Sequence, residues 1–325
     1  LVIIWSITDG SAGTVAQVKA LATALGETPI MKTVKVKKPW VWLPNALYKG
    51  ALRGRLPKLI HSYDTIDVPW PEMVISCGRR GALAALGVKG VMEKEGRKAK
   101  FVHIQDPRMS ARYFDLVIAM AHDRAVGDNV IKTPLALHAL TPEVLAEAGK
   151  KFAKRFTIYS KPYVAILLGG STNKYTLTSG AMEEVIAAIR RLQNASQGAL
   201  LITSSRRTGH ENLQALIAAF PRSRESSVYI YDGIGENPYL GMLALADHIV
   251  VTNDSVNMMS EARATGKPLY ILPLPGHADT KPSRFAEKLI TDGVARPLGD
   301  TLETWNYPAS GDMTALAEEV RRRVL

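Results

Sequence analysis

Cysteine is almost absent from this 325-residue chain: Cys77 stands alone, which excludes an intramolecular disulfide and any cysteine-rich zinc knot and fits a reducing compartment. Long apolar runs are missing as well. Asp, Lys or Gly interrupts every hydrophobic stretch short of the roughly 20 residues a membrane-spanning helix needs, so no bilayer span is expected. The histidines His61, His103, His122, His138, His210, His248 and His277 form neither an HExxH nor another close ligand spacing. No metal site is predicted. No GxGxxG follows a strand, the first loop reading Asp9-Gly10-Ser11-Ala12-Gly13, which argues against a nicotinamide-dependent dehydrogenase. The apolar opening at Leu1 shows no signal-peptide pattern, and the expected location is cytoplasmic, with peripheral docking at the inner membrane as its extension.

What is present is a globular composition, 46% hydrophobic and 22% charged, over about twice the length of a typical domain. Two domains are expected. The formal net charge of +11 implies attraction to anions. Between Thr28 and Tyr63 there is no Asp or Glu, whereas Lys32, Lys35, Lys37, Lys38, Lys49, Arg53, Arg55 and Lys58 are interleaved with Trp40, Trp42 and Tyr48. Basic residues with interfacial aromatics suit docking of residues 32–58 on an anionic membrane surface; a solvated basic face explains the same pattern. No nucleic-acid partner is expected, because no recognition motif accompanies the patch.

Short β-branched runs alternate with helical segments, the pattern of parallel sheets covered on both faces, so the fold class is α/β. Strands are predicted at Val2–Ile7, Met73–Ser76, Phe101–Gln105 and Leu116–Met120, and, after the polar Lys150–Lys161 stretch, at Tyr163–Leu168, Ala199–Thr203, Val228–Tyr231, His248–Thr252 and Leu269–Leu272. Two doubly wound, Rossmann-like domains are expected to face a cleft. Residues 1–150 form the acceptor side and residues 151–325 the nucleotide-sugar side, with the last helix, near Asp312–Val324, folding back on the first domain.

Gly169-Gly170-Ser171 follows the first strand of the second half, where missing β-carbons let backbone N–H groups approach an anion. A plain tight turn accounts for those residues taken alone. Downstream, Asn253-Asp254-Ser255 runs from strand into helix, offering unsatisfied N–H groups to a diphosphate. Glu261 lies less than two turns further on, placed for ribose hydroxyls. Ser205, Arg206 and Arg207 end another strand, and guanidiniums match phosphate oxygens. In the first half, Arg79, Arg80 and Arg108 suit an anionic acceptor, with Asp106 holding an arginine; a structural Asp–Arg network reads equally well.

Gly169-Gly170-Ser171, the Ser255, Glu261-Ala262 spacing and Gly266-Lys267-Pro268 resemble the GT-B glycosyltransferases, especially those acting on the lipid-linked peptidoglycan precursor. The resemblance implies that Gly170, Ser171, Ser255 and Glu261 hold a UDP-sugar, with Asn237-Pro238-Tyr239 near the base; Gly169 is counted with them as part of the same turn. That family carries an Arg before its helix Ser. This chain has Asn253-Asp254 there, so the diphosphate is expected to lean on Arg206 or Arg207.

A nearly full-length resemblance, carried by Asp9-Gly10, Cys77-Gly78-Arg79-Arg80, Gln105-Asp106-Pro107-Arg108, His122-Asp123, Thr203-Ser204-Ser205-Arg206-Arg207-Thr208 and Asp254-Ser255, is to the mitochondrial-fission factor family of plants and its bacterial relatives. For the plant members it implies a non-catalytic adaptor with a protein partner. For the bacterial ones it implies a glycosyltransferase-like protein. Relatives carry His or Glu-Asn where this chain has Thr14-Val15-Ala16 before Gln17.

The expected activity is sugar transfer from a nucleotide-sugar co-substrate, with no other cofactor, to a membrane-associated or anionic acceptor. Such transfer needs a base for the acceptor hydroxyl and neutralisation of the departing diphosphate. Asp9, or His122 with Asp123, are the base candidates; Asp9 as a helix cap and His122 as a satisfied histidine are the plain alternatives. A sugar-nucleotide epimerase would use the same fold, with Asp9 and Asp106 as acid and base.

Overall fold

The computed structural model describes residues 2–38, 60–62, 69–173, 175–221, 226–277, 279–308 and 313–325. The chain forms two compact units, Leu1–Ala139 with Gly311–Leu325, and Leu140–Ser310.

The first unit is built on a seven-stranded sheet in the order β3-β2-β1-β4-β5-β6-β7, comprising β1 Ile4–Thr8, β2 Ile30–Val36, β3 Ile60–Ser62, β4 Met73–Cys77, β5 Lys100–Ile104, β6 Leu116–Met120 and β7 Val130–Thr133. Only β2 and β3 pair antiparallel among these strands. Alternation along the strands sorts two cores. Trp5, Ile7, Val74, Phe101 and Val117 pack on the helix α2 Gly78–Lys94 through Ala82, Leu83 and Val88. Ile4, Ile75, Val102 and Ile118 pack on the helix α1 Ala12–Ala24 through Val18 and Leu21. The same side receives the last helix of the chain, Met313–Val324, through Ala317, Val320 and Val324.

The second unit carries a parallel six-stranded sheet, β10-β9-β8-β11-β12-β13, comprising β8 Tyr163–Leu168, β9 Ala199–Ser204, β10 Val228–Tyr231, β11 His248–Thr252, β12 Leu269–Leu272 and β13 Ala295–Pro297. β8 and β11 are buried along their whole length, as central strands covered on both faces require. Helices α3 Pro142–Phe156, α4 Ser179–Ala195, α5 His210–Ala219, α6 Tyr239–Leu245, α7 Val256–Ala264 and α8 Lys281–Thr291 complete it, so the last helix of the chain is α9.

The expected boundary at 150 is corrected to Ala139/Leu140. Helix α3 starts at Pro142 with Thr141 accepting from the Val144 N–H at 3.3 Å, and it packs within the second unit. A β-carbon on Gly241 of α6 would lie 2.5 Å from Phe152 Cβ, so α3 and α6 are in backbone-close contact that only glycine permits.

His103 of β5 is fully buried, its Nδ1 2.8 Å from the Ser76 hydroxyl of β4. Burial holds its pKa down to about 3, against an ordinary 6.5. The imidazole is therefore neutral in the fold and protonated in the unfolded chain below its ordinary pKa. The unfolded state binds more protons there, so stability is present above pH 6.5 and is lost as pH falls from 6.5 towards 3. The slope from this group reaches at most about 1.4 kcal/mol per pH unit. Urea titrations from pH 7 to pH 4.5 should show that slope, and His103→Gln should flatten it; an unchanged slope would assign the acid sensitivity to other groups.

Candidate functional site

In an open α/β sheet, ligands gather outside the carboxyl ends of the strands at the point where the winding reverses. In the second unit the winding reverses between β8 and β11, since β9 and β10 lie outward of β8, and β12 and β13 outward of β11. The glycine turn leaves β8, Ser205-Arg206-Arg207-Thr208 leaves β9, and Asn253-Asp254-Ser255 leaves β11. The three strands are neighbours, so the loops meet.

Their meeting point is the side chain of Asp254, which is fully buried against a half-exposed Arg207. Its Oδ2 accepts from the Gly170 N–H at 3.0 Å and pairs with Arg207 Nη2 at 2.8 Å. Its Oδ1 accepts from the Thr252 hydroxyl at 2.6 Å. Thr252 Oγ1 in turn accepts from the Gly169 N–H at 2.7 Å, and the Ser171 N–H donates to the Arg207 carbonyl at 2.9 Å. The expectation that Gly169, Gly170 and Ser171 present open N–H groups to an anion is thus corrected. Each of those donors is engaged inside the unit. The glycines serve packing: a β-carbon on Gly169 would lie 1.9 Å from Asp254 Oδ1, and one on Gly170 2.2 Å from the Arg207 carbonyl oxygen. The Ser171 hydroxyl accepts from the Leu177 N–H at 3.0 Å, and the Ser205 hydroxyl accepts from the Arg207 N–H at 3.1 Å, so both shape their own turns. Arg206 is exposed.

Helix α7 starts from Ser255, whose hydroxyl caps the Met258 N–H at 3.4 Å. Glu261 faces Tyr239, the first residue of α6, and the Tyr239 hydroxyl donates to Glu261 Oε2. Burial pushes the Glu261 carboxyl above its ordinary range, with the Tyr239 hydrogen bond opposing that shift, and burial beside Glu261 raises the Tyr239 phenol well above its own. Asn237 Oδ1 accepts from the Tyr239 N–H at 3.0 Å, which sets the turn into α6. Lys267 of the Gly-Lys-Pro segment donates to the carbonyls of Leu243 at 2.8 Å and Ala244 at 2.6 Å, capping the end of α6.

Tyr175 and His277 pack edge to face at 5.0 Å beside this cluster; sequence reasoning passed over Tyr175 and considered His277 only as a metal ligand. The His277 imidazole is held below its ordinary pKa by burial, against the opposing field of Asp254. Both sit in loops without any motif, so no signal in the chain announces them.

In the first unit the winding reverses between β1 and β4. Asp9 leaves β1, and Arg79 and Arg80 open α2 directly after β4. Arg80 Nη1 lies 3.5 Å from Asp9 Oδ2. Asp9 is not the cap of α1, a place held by Ser11; its Oδ1 instead accepts from the Ser11 N–H at 3.1 Å and the Thr14 hydroxyl at 3.2 Å. Asp106 holds Arg108 through the Arg108 N–H at 2.8 Å and Nε at 3.8 Å. His122 and Asp123 follow β6, two strands beyond β4, which places them about 14 Å from the β1 end at normal strand spacing. His122 Nε2 stands 3.9 Å from Asp123 Oδ1, an electrostatic contact longer than a hydrogen bond. The His122–Asp123 pair, the alternative base candidate, therefore lies away from Asp9 and from the switch point. Of the basic segment, Lys35, Lys37 and Lys38 are exposed and Lys32 is buried over the Trp5 ring at 4.8 Å; Trp40, Trp42, Tyr48, Lys49, Arg53, Arg55 and Lys58 lie outside the described residues.

The family described as Mitochondrial fission ELM1 matches residues 12–324. The chain belongs to that family. It is 28% identical over 286 residues to the mitochondrial fission protein ELM1 of Arabidopsis thaliana, a match covering 80% of this chain and 65% of the plant protein, so less than two thirds of that relative's length is spanned. An uncharacterised Rickettsia prowazekii protein, RP120, is 26% identical, with 98% of this chain and 97% of the relative covered. Among solved structures, UDP-GlcNAc 2-epimerase of Methanocaldococcus jannaschii, in complex with UDP-GlcNAc and UDP, matches with a TM-score of 0.55 at 12% identity over 98% of this chain and 99% of that one. MurG of Acinetobacter baumannii matches with a TM-score of 0.50 at 14% identity over 99% and 92%. These likenesses show the fold: two Rossmann-like α/β units of the GT-B type, shared by this ELM1-family chain with glycosyltransferases and epimerases. Among the described residues, no helix is long and apolar enough to cross a membrane.

Proposed function

We propose that the second unit binds a nucleoside diphosphate sugar, UDP-linked, and that the protein transfers the sugar to an anionic acceptor. The observation that carries this reading is the helix α7, which leaves the switch-point strand β11 at Ser255 and presents Glu261 beside Tyr239. A diphosphate at the start of α7 would meet the helix N-terminus and the guanidinium of Arg207, with the exposed Arg206 next to it in the chain. Ribose hydroxyls would donate to Glu261, a carboxylate whose burial makes further donors favourable. The UDP named for the epimerase complex supports the choice of nucleotide.

In the first unit, Arg79, Arg80 and Arg108 supply charge for the acceptor. Asp9 is the preferred base, since it alone of the candidates lies at the switch point. Neutralisation of the leaving diphosphate by arginines and oriented N–H groups then supplies the electrostatic part of catalysis. An epimerase needs an acid as well as a base at the sugar; Asp106, the second carboxylate that role requires, is held against its own Arg108, which suits anion binding better. One observation favours a second reading, a non-catalytic adaptor: the glycine turn has its N–H donors engaged within the fold.

Melting the protein with UDP, UDP-GlcNAc and a panel of other nucleotides separates the two. A ligand that binds only the folded state stabilises by about 2.7 kcal/mol at a hundredfold excess over its dissociation constant. UDP and UDP-sugars should raise the melting temperature selectively, and Glu261→Gln should weaken UDP at least tenfold. Silence towards every nucleotide would leave the adaptor.

A further inference from the structure

Asp254 has a buried carboxylate with no part in donor binding as proposed, although the loops that leave β8, β9 and β11 converge on it. Its oxygens take the Gly170 N–H, the Thr252 hydroxyl and the Arg207 guanidinium. A backbone N–H of a glycine turn, a hydroxyl and an arginine are the donor set that recognises a phosphate oxygen. The fit is close enough that Gly169 has no room for a β-carbon against the carboxylate. In place of an empty cradle, the unit holds its own anion.

We propose that Asp254 is a resident counter-anion that keeps this cradle self-occupied, so that a phosphate engages Arg207 and Gly170 only by displacing the Asp254 carboxylate. The proposal rests on the donor-site reading for the identity of the incoming group and on the geometry of Asp254 for the contact itself. The contact is autoinhibitory. It subtracts from phosphate affinity whatever it contributes to the unliganded fold, and it makes Arg207 available only to a ligand whose other contacts, at the start of α7 and at Glu261, compensate for the loss. Free phosphate or pyrophosphate lacks the ribose contact and is therefore rejected, which gives the site selectivity for complete nucleotides.

The test compares the full chain with Asp254→Ala and Asp254→Asn, using sodium formate and inorganic pyrophosphate as probes in a chloride buffer of constant ionic strength. Asp254→Ala should melt below the parent. Formate, the missing carboxylate, should restore part of that loss saturably while leaving the parent unmoved, and pyrophosphate should bind the variant at least tenfold tighter than the parent. Arg207→Ala added to Asp254→Ala should abolish the gain. Should Asp254→Ala fail to fold, Asp254→Asn keeps the shape and removes the charge, and it should still bind pyrophosphate more tightly than the parent. Equal response of parent and folded variant to both probes would overturn the proposal. UDP binding to the parent, measured alongside, keeps the two readings apart. Tighter pyrophosphate binding by the variant with no UDP binding by the parent upholds the resident anion and removes the donor assignment. UDP binding with no gain in the variant does the reverse.

Discussion

Gly170→Ala is expected to cost about 3 kcal/mol or more and to lower the melting temperature of the second unit by about 10 °C. The added carbon would lie 2.2 Å from the Arg207 carbonyl oxygen and 2.4 Å from the Thr208 nitrogen, both backbone atoms that no rotamer change can move aside. Relief therefore requires the β8 and β9 loops to separate. Separation breaks the Ser171 to Arg207 hydrogen bond and pulls Gly170 off Asp254, leaving a buried carboxylate short of a donor. Gly180 is the internal control. It lies in the first turn of α4, where an added β-carbon would meet no atom within 4 Å and φ is ordinary, so Gly180→Ala should be neutral or stabilising by up to about 1 kcal/mol. Calorimetry on the two variants checks the pair, and a mild effect at Gly170 would mean that the glycine turn is looser than its contacts require.

The central strands were legible because they are buried on both faces and carry apolar runs: Tyr163–Leu168, His248–Thr252 and Leu269–Leu272 lie where the pattern placed them. The edges were not. β2 alternates lysines with apolar residues, β7 is a half-exposed four-residue strand, and β13 is Ala-Arg-Pro, so none shows the apolar run that burial on both faces writes into a sequence. At the site, the grouping of the glycine turn, the Ser205–Thr208 segment and Asp254-Ser255 followed from strand ends alone. What each residue does there did not follow. Composition shows that Gly169 and Gly170 are small; it does not show that the space belongs to Asp254 and to the Arg207 backbone. Tyr239 and Glu261 were each assigned to a nucleotide, yet their direct hydrogen bond depends on α6 and α7 lying side by side, which a separation of 22 positions along the chain leaves open.

Deletion of the last helix, residues 313–325, should unfold the first unit while the second keeps a cooperative melting transition. α9 belongs to the first unit although the chain reaches it only after completing the second. It contributes Met313, Ala317, Val320 and Val324, all buried, to the core that holds Val18 and Leu21 of α1 and the strand residues Ile4 and Ile75. Arg321 and Arg323 add hydrogen bonds to the carbonyls of Ala24 at 3.3 Å and Asp128 at 3.0 Å. Burying a side chain of Val or Met size is worth about 1.5–3 kcal/mol, and the faces left bare on α1 lose a comparable area, so the deletion removes about as much as a whole domain's net stability. Ala317→Glu is the subtler form. It places a carboxylate at a site with no solvent exposure, and several kcal/mol should be lost without shortening the chain. Two resolved transitions in the parent, with loss of one in the truncated chain and its selective digestion by protease before Ala139, would establish that the chain's end completes the fold of its beginning. A truncated chain that melts like the parent would show that α1 and the sheet hold that core without it.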